Sequence, residues 1–171
     1  MTQDVTVGPL SQIVRVDRAP RGDGIITVTA TPEQCAALAA DFKIPAIRDL
    51  VGRFSFTGSL SDLKVTGTVE AWATQICTVS LDPFESKLSE PVEVTFTDTD
   101  VLVGTDAEDA DVPDPIVNGR IDFGKLTAEF LALGLDPYPR KPGIAFEPPA
   151  DAGDDLPFAA LKRLRSEESQ G

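Results

Sequence analysis

The sequence predicts an α+β domain, an antiparallel sheet of about five or six strands packed by two principal helices, with a mobile acidic loop and a C-terminal tail. Three observations carry this. Residues 63–74 alternate, with Leu63, Val65, Gly67, Val69, Ala71 and Ala73 on one face and Lys64, Thr66, Thr68, Glu70, Trp72 and Thr74 on the other. That is the period of a long half-buried strand. Two further stretches repeat apolar residues every three or four positions, each behind a residue suited to cap a helix.

In chain order, short strands are expected around Gln12–Asp17 and Ile25–Thr29, separated by a turn over Arg18–Gly24 that Pro20 and two glycines break. Thr31-Pro-Glu-Gln34 is the clearest helix start: Thr31 can cap, Pro32 fits the first helical position and Gln34 completes a capping box. Cys35, Leu38, Ala39 and Phe42 then form one apolar face, which makes Cys35 a core residue. Pro45 stops this helix. Residues 46–58 read as extended, with Phe54 and Phe56 on one face, and Gly58–Asp62 makes a hairpin connection.

In the alternating strand that follows, Gly67 marks a bulge or bend. Trp72, on the polar face, is either covered by a neighbouring element or exposed as an anchor. Val92, Val94 and Phe96 alternate with Glu93 and Thr95, a return strand pairing with the one before. From Asp98 to Pro115 there are seven acidic residues and no basic one, which reads as a solvated, mobile loop. A second helix should run from Asp122, its cap, to about Leu133, burying Phe123, Leu126, Phe130 and Leu133, with Gly134 ending it. Pro137, Pro139 and Pro142 hold Leu135–Gly143 in an extended path. Residues 1–146 are expected to form one domain, and 147–171 a Pro/Ala/Asp-rich linker with a short amphipathic piece, Phe158–Arg165.

Composition narrows the chemistry. With 28 acidic and 15 basic residues the net charge is −13, which repels phosphate backbones and favours basic partners. There is no histidine, which removes the usual general base, the commonest metal ligand and every Ser-His or Cys-His nucleophile. The two cysteines, Cys35 and Cys77, do not form a Cys-x-x-Cys pair, too few ligands for a structural zinc site. No enzymatic activity, cofactor, metal or small-molecule substrate is expected. No run approaches the roughly 18 apolar residues of a membrane span, and the opening residues lack the pattern of a signal peptide. A cytoplasmic location without membrane contact follows, with both thiols reduced.

Two segments carry more than generic pattern. One is Val65-Thr-Gly-Thr-Val69 leading into Gln75-Ile-Cys-Thr-Val-Ser-Leu-Asp-Pro-Phe84; the other is Ile121-Asp-Phe-Gly-Lys-Leu-Thr-Ala-Glu-Phe-Leu131 leading into Leu135-Asp-Pro-Tyr-Pro-Arg-Lys-Pro-Gly143. In that order and spacing they resemble the YceD family, called large ribosomal RNA subunit accumulation proteins, and within it the alphaproteobacterial branch. The resemblance implies a role in producing or accumulating large-subunit ribosomal RNA, with no established enzymatic activity. Many relatives carry a Cys-x-x-Cys pair where this chain has Cys77 and Ser80, so their metal feature does not carry over. The motif residues singled out are Gln75, Cys77, Leu81, Asp82, Pro83 and Phe84 with Asp136, Pro137, Tyr138, Pro139, Arg140, Lys141 and Pro142. Cys77 is read as a structural residue at the hairpin end, with Leu81, Pro83 and Phe84 shaping the turn.

Tyr138–Pro142 is the best candidate contact: prolines pre-order it, Tyr138 offers an amphipathic anchor, and Arg140-Lys141 a paired positive charge. The same residues would equally serve as a strap over the sheet. Expected partners are ribosomal proteins or assembly factors, with local contact to ribosomal RNA through Arg140-Lys141 or Lys162-Arg163-Arg165. The competing reading is an acidic, chaperone-like module for a basic partner unrelated to ribosomes.

Overall fold

In a computed structural model the described residues are 8–17, 24–98 and 113–147. Most of the expected 18–24 turn, of the acidic loop and of the C-terminal tail lies outside them. The elements run β1 (Ile13–Arg15), β2 (Ile26–Thr29), α1 (Pro32–Asp41), β3 (Ala46–Ser59), β4 (Asp62–Ile76), β5 (Pro83–Asp98), β6 (Asp114–Ile116), β7 (Arg120–Asp122) and α2 (Phe123–Gly134). The fold is α+β. A five-stranded sheet has the order β2-β3-β4-β5-β6, and β1 pairs with β7 in a separate two-stranded ribbon.

The three long strands form the frame. β3 and β4 pair from Ser59↔Asp62 to Ala46↔Thr74, and β4 and β5 from Leu63↔Phe96 to Ile76↔Pro83, all antiparallel. The odd-numbered residues of β4 face the core, as the alternation predicts: Leu63, Val65, Val69, Ala71 and Ala73 are buried. Trp72 lies half-buried on the opposite face, covered by the Arg48 guanidinium 4.8 Å above its ring. The bulge is in β3, not at Gly67. The β3–β4 register shifts between Arg48 and Val51, with Asp49 at φ +53°, so that Ile47 and Leu50 both reach the core. Gly67 pairs regularly with Phe54. Its role is close approach, since a Cβ there would lie 2.1 Å from the Arg53 carbonyl oxygen and 2.9 Å from the Phe54 ring.

Helix α1 starts as expected. Thr31 Oγ1 accepts from Gln34 N–H at 3.3 Å, and Gln34 Oε1 accepts from Thr31 N–H at 2.9 Å, a complete capping box. Its end is closed before Pro45 by a Schellman arrangement: Lys43 N–H donates to Ala40 O and Ile44 N–H to Ala39 O, with Lys43 at φ +57°. Cys35, Leu38 and Ala39 are buried. Helix α2 is capped by Asp122, which accepts from Gly124 N–H and Lys125 N–H. It also accepts from Ser11 Oγ at 2.6 Å and Gln12 N–H at 2.8 Å, tying the N-terminal segment to the helix.

Helix α2 ends at Gly134, as expected, with Leu135 as C-cap; one expectation for it, the buried face, is corrected. A Cβ at Gly134 would stand 3.0 Å from the Leu88 methyl groups, a tight contact that the glycine avoids. The buried side is Phe123, Gly124, Leu126, Thr127 and Leu131, whereas Leu133 is 71% exposed. At roughly 100° per residue Leu131 falls inside the buried arc, whereas Leu133 falls about 20° beyond its edge, next to Leu126, and is left in solvent in the last turn of the helix.

A third correction concerns the acidic stretch, both of whose ends are strand. Asp98 closes β5, and Asp114–Ile116 pairs with it in parallel, Phe96↔Asp114 to Asp98↔Ile116. Parallel neighbours need a long connection, fifteen residues separate the two strands in sequence, and the fully buried Ile116 anchors β6. Pro115 is tolerated because β6 is an edge strand. The next turn has a local sequence signature. Asn118 (φ +52°) and Gly119 (φ +68°) reverse the chain between Val117 and Arg120, the Asn-Gly signature of a tight β-turn.

The core joins the inner face of the sheet to both helices, with Phe54 and Phe123 rings 5.3 Å apart at its centre. The chain divides after Lys141 into two compact units. The described part of the second, Pro142–Glu147, is a turn with Gly143 at φ +81° followed by irregular chain. Among the described residues no helix is long and apolar enough to cross a membrane.

Candidate functional site: the β4–β5 turn and its strap

The site forms where β4 ends. Ile76↔Pro83 and Gln75↔Phe84 are the last pairs of the β4–β5 ladder, and the six residues between them turn the chain. Cys77 N–H donates to the Asp82 carbonyl at 2.9 Å, and Leu81 N–H to the Cys77 carbonyl at 3.0 Å. The geometry forces Leu81 to φ +61°, and its side chain is left 75% exposed.

After α2, residues 136–141 lie across this turn as a strap. Gln75 Nε2 donates to the Asp136 carbonyl at 2.9 Å. Thr78 donates to the Pro139 carbonyl through its N–H at 2.8 Å and its hydroxyl at 3.3 Å. Lys141 N–H donates to Cys77 Sγ at 3.4 Å. The Asp136 carboxylate accepts from Tyr138 N–H at 2.8 Å, fixing the strap's own bend. Proline supplies φ values compatible with this path and offers no competing donor at 137 or 139.

Cys77 is the joint of the assembly. Its side chain is fully covered, yet it lies outside the core cluster; turn and strap cover it, rather than depth within the domain. The sulfur accepts N–H bonds from Lys141 and Ser80, both at 3.4 Å. The Lys141 N–H and then the Ser80 hydroxyl and N–H favour the thiolate, bringing Cys77 down to about 6 despite partial desolvation. Cys35 moves the other way, raised chiefly by burial in the core. Ser80 occupies the second position of a Cys-x-x-Cys pattern and donates to the sulfur instead of adding a ligand. Among the described residues no group of three or more His, Cys, Asp or Glu side chains is placed to hold a metal ion.

The structure thus brings together Gln75, Cys77, Leu81, Asp82, Pro83 and Phe84 with Asp136, Pro137, Tyr138, Pro139, Arg140 and Lys141. Pro142 belongs to the second unit. Gln75 is buried and Phe84 half-buried, whereas Leu81, Asp82, Pro83, Asp136, Pro137, Tyr138 and Arg140 are exposed. Lys141 Nζ stands 4.0 Å from the Asp82 carboxylate; Arg140 has no ion-pair partner among the described residues. Thr78 and Ser80, which are not among the motif residues singled out above, complete the site through their hydrogen bonds. Their polar side chains beside a turn cysteine were the available signal, but a partner 61 residues away has no local signature. A separate groove of about 520 Å³ between β6, β7 and α2 is lined by Phe96, Ile121 and Leu126 among others, and by none of the residues gathered at the β4–β5 turn and strap.

Both joined segments fall within one family pattern. The family described as "Large ribosomal RNA subunit accumulation protein YceD" matches residues 65–165, well over half of the chain. The chain belongs to the YceD family. No curated protein and no solved structure matches it. The YceD match begins within β4, at the first residue of the first motif segment, and takes in the turn, α2 and the strap. It continues through residues 147–165, beyond the second motif segment, which ends at Gly143.

Proposed function

We propose that this YceD protein is an accessory factor in large-ribosomal-subunit production, supporting synthesis, processing or accumulation of the large-subunit ribosomal RNA. The family match over residues 65–165 carries the reading. The protein acts in the cytoplasm as a binder rather than a catalyst. A chain without histidine lacks the usual proton-transfer group, and the side chains gathered at the turn are arranged to hold a strap. With a net charge of −13 it engages basic ribosomal proteins or assembly factors first, and RNA only locally. Residues 1–146 act as one functional domain, with 147–171 as its tail.

Deleting the gene should lower the ratio of large- to small-subunit RNA or leave unprocessed precursor. An unchanged ribosome profile, in normal growth and in the cold, would sink the proposal. The acidity also supports a second reading, an acidic holder of some basic protein unrelated to ribosomes. Affinity purification from growing cells separates the two, because only the first predicts enrichment of large-subunit proteins and their precursor particles.

A further inference from the structure

The turn at Leu81 is costly in two ways without return to the free chain. Its side chain is 75% exposed, so most of its apolar surface remains in water. Its backbone lies at φ +61°, where a Cβ crowds the carbonyl and where glycine or asparagine is the usual occupant. The hydrogen bonds at Cys77 hold it there. Strained positions of this kind cluster where a chain meets a ligand. On the strap fixed to the same turn, Tyr138 is 74% exposed, and Arg140 has no ion-pair partner among the described residues.

We propose that Leu81, Tyr138 and Arg140 form a preorganised docking tip that inserts into an apolar pocket on a basic protein of the large ribosomal subunit. The inference rests on the accessory-factor reading and names the partner for its site. Tyrosine and arginine are side chains that often dominate protein interfaces; both can also stack on a base, so the exposed leucine, which fills an apolar pocket, and the charge of the body decide for a protein. The acidic body attracts a basic surface and repels both a phosphate backbone and a second copy of itself. Arg140 is left to meet a carboxylate or carbonyl at the pocket's rim. Because the hydrogen bonds from Gln75, Thr78 and Lys141 already fix the strap, docking orders little additional chain.

The decisive variant is Leu81→Gly, which removes the anchor and relieves the backbone. Individual RNA-free proteins from purified large subunits would be titrated against the full chain, alongside naked large-subunit RNA. The expected result is that one basic protein binds, that Leu81→Gly and Tyr138→Ala each weaken it roughly tenfold or more, and that the denaturation midpoint of Leu81→Gly is not lowered. Binding unaffected by both variants would overturn the tip. So would binding to the naked RNA instead of a protein, or self-association that the variants abolish. Complementation separates the two levels. If deletion leaves the RNA ratio unchanged, the accessory-factor reading fails. If deletion lowers the ratio and a Leu81→Gly, Tyr138→Ala chain restores it fully, only the docking tip fails.

Discussion

At the scale of single residues, the two cysteines are set apart by their surroundings. Cys35 is packed among apolar side chains and its thiol is pushed up. Cys77 accepts backbone N–H groups and is drawn down to about 6. A depressed thiol stabilises the fold at pH values where it is ionised in the native state and protonated in the unfolded one. That contribution is fully present above the ordinary thiol value and is gone once pH has fallen through about 6. Urea midpoints should therefore rise with pH across that window in the wild type, and the rise should flatten in Cys77→Ser. Lys43 offers a second test. It occupies the left-handed position of the α1 Schellman motif at φ +57°, so Lys43→Gly should be neutral or stabilise by up to about 1 kcal/mol in equilibrium unfolding.

At the scale of elements, α2 links the parts of the fold. Its N-cap Asp122 accepts from the helix and from Ser11 and Gln12 at once. Burial alone would raise this carboxyl, but the donors from Ser11, Gln12, Lys125 and Gly124 outweigh it and hold it below the usual range. Asp122→Ala should cost about 1–2 kcal/mol by denaturant unfolding, with amide exchange rising first in β1 and the first turn of α2. The helix face makes a sharper comparison. Leu131→Ala should cost about 2–5 kcal/mol, and Leu133→Ala, two residues on but in solvent, should stay within about 0.5 kcal/mol. Equal losses would mean that the helix is rotated from the orientation described.

For the whole molecule, charge sets the conditions under which partners are met. The sheet's outer face is locally balanced, Arg48 with Glu85, Arg53 and Lys87 with Glu70, and Lys64 with Glu93. Such exposed pairs add little stability, and they leave the long-range field to the excess acids. Association with a basic partner should thus slow as salt rises, while dissociation from an apolar pocket changes little. Stopped-flow measurements over a salt series would separate the two rates. A salt effect confined to dissociation would place the charges inside the interface instead of around it.

The sequence by itself determined the elements whose information is local. The capping box at Thr31, the alternation of β4 and the Asp122 cap are all written in neighbouring residues, and the structure has them where they were expected; the family resemblance, carried by two short segments, is met by the match over residues 65–165. The Asn118-Gly119 turn is equally local, two residues whose positive φ values suit asparagine and glycine. Only tertiary structure decided what depends on distant partners. The parallel return of β6, the glycine at 134 beneath Leu88, the choice of Leu131 over Leu133 and the close packing at Gly67 all follow from which surfaces meet. The same holds for the candidate site. Two motif segments some sixty residues apart are visible in the sequence, but a strap hydrogen-bonded to a cysteine sulfur exists only once β4, β5 and α2 have brought them together. Local steric preference is encoded within a few residues, whereas shape complementarity and long-range hydrogen bonds are properties of the packed chain.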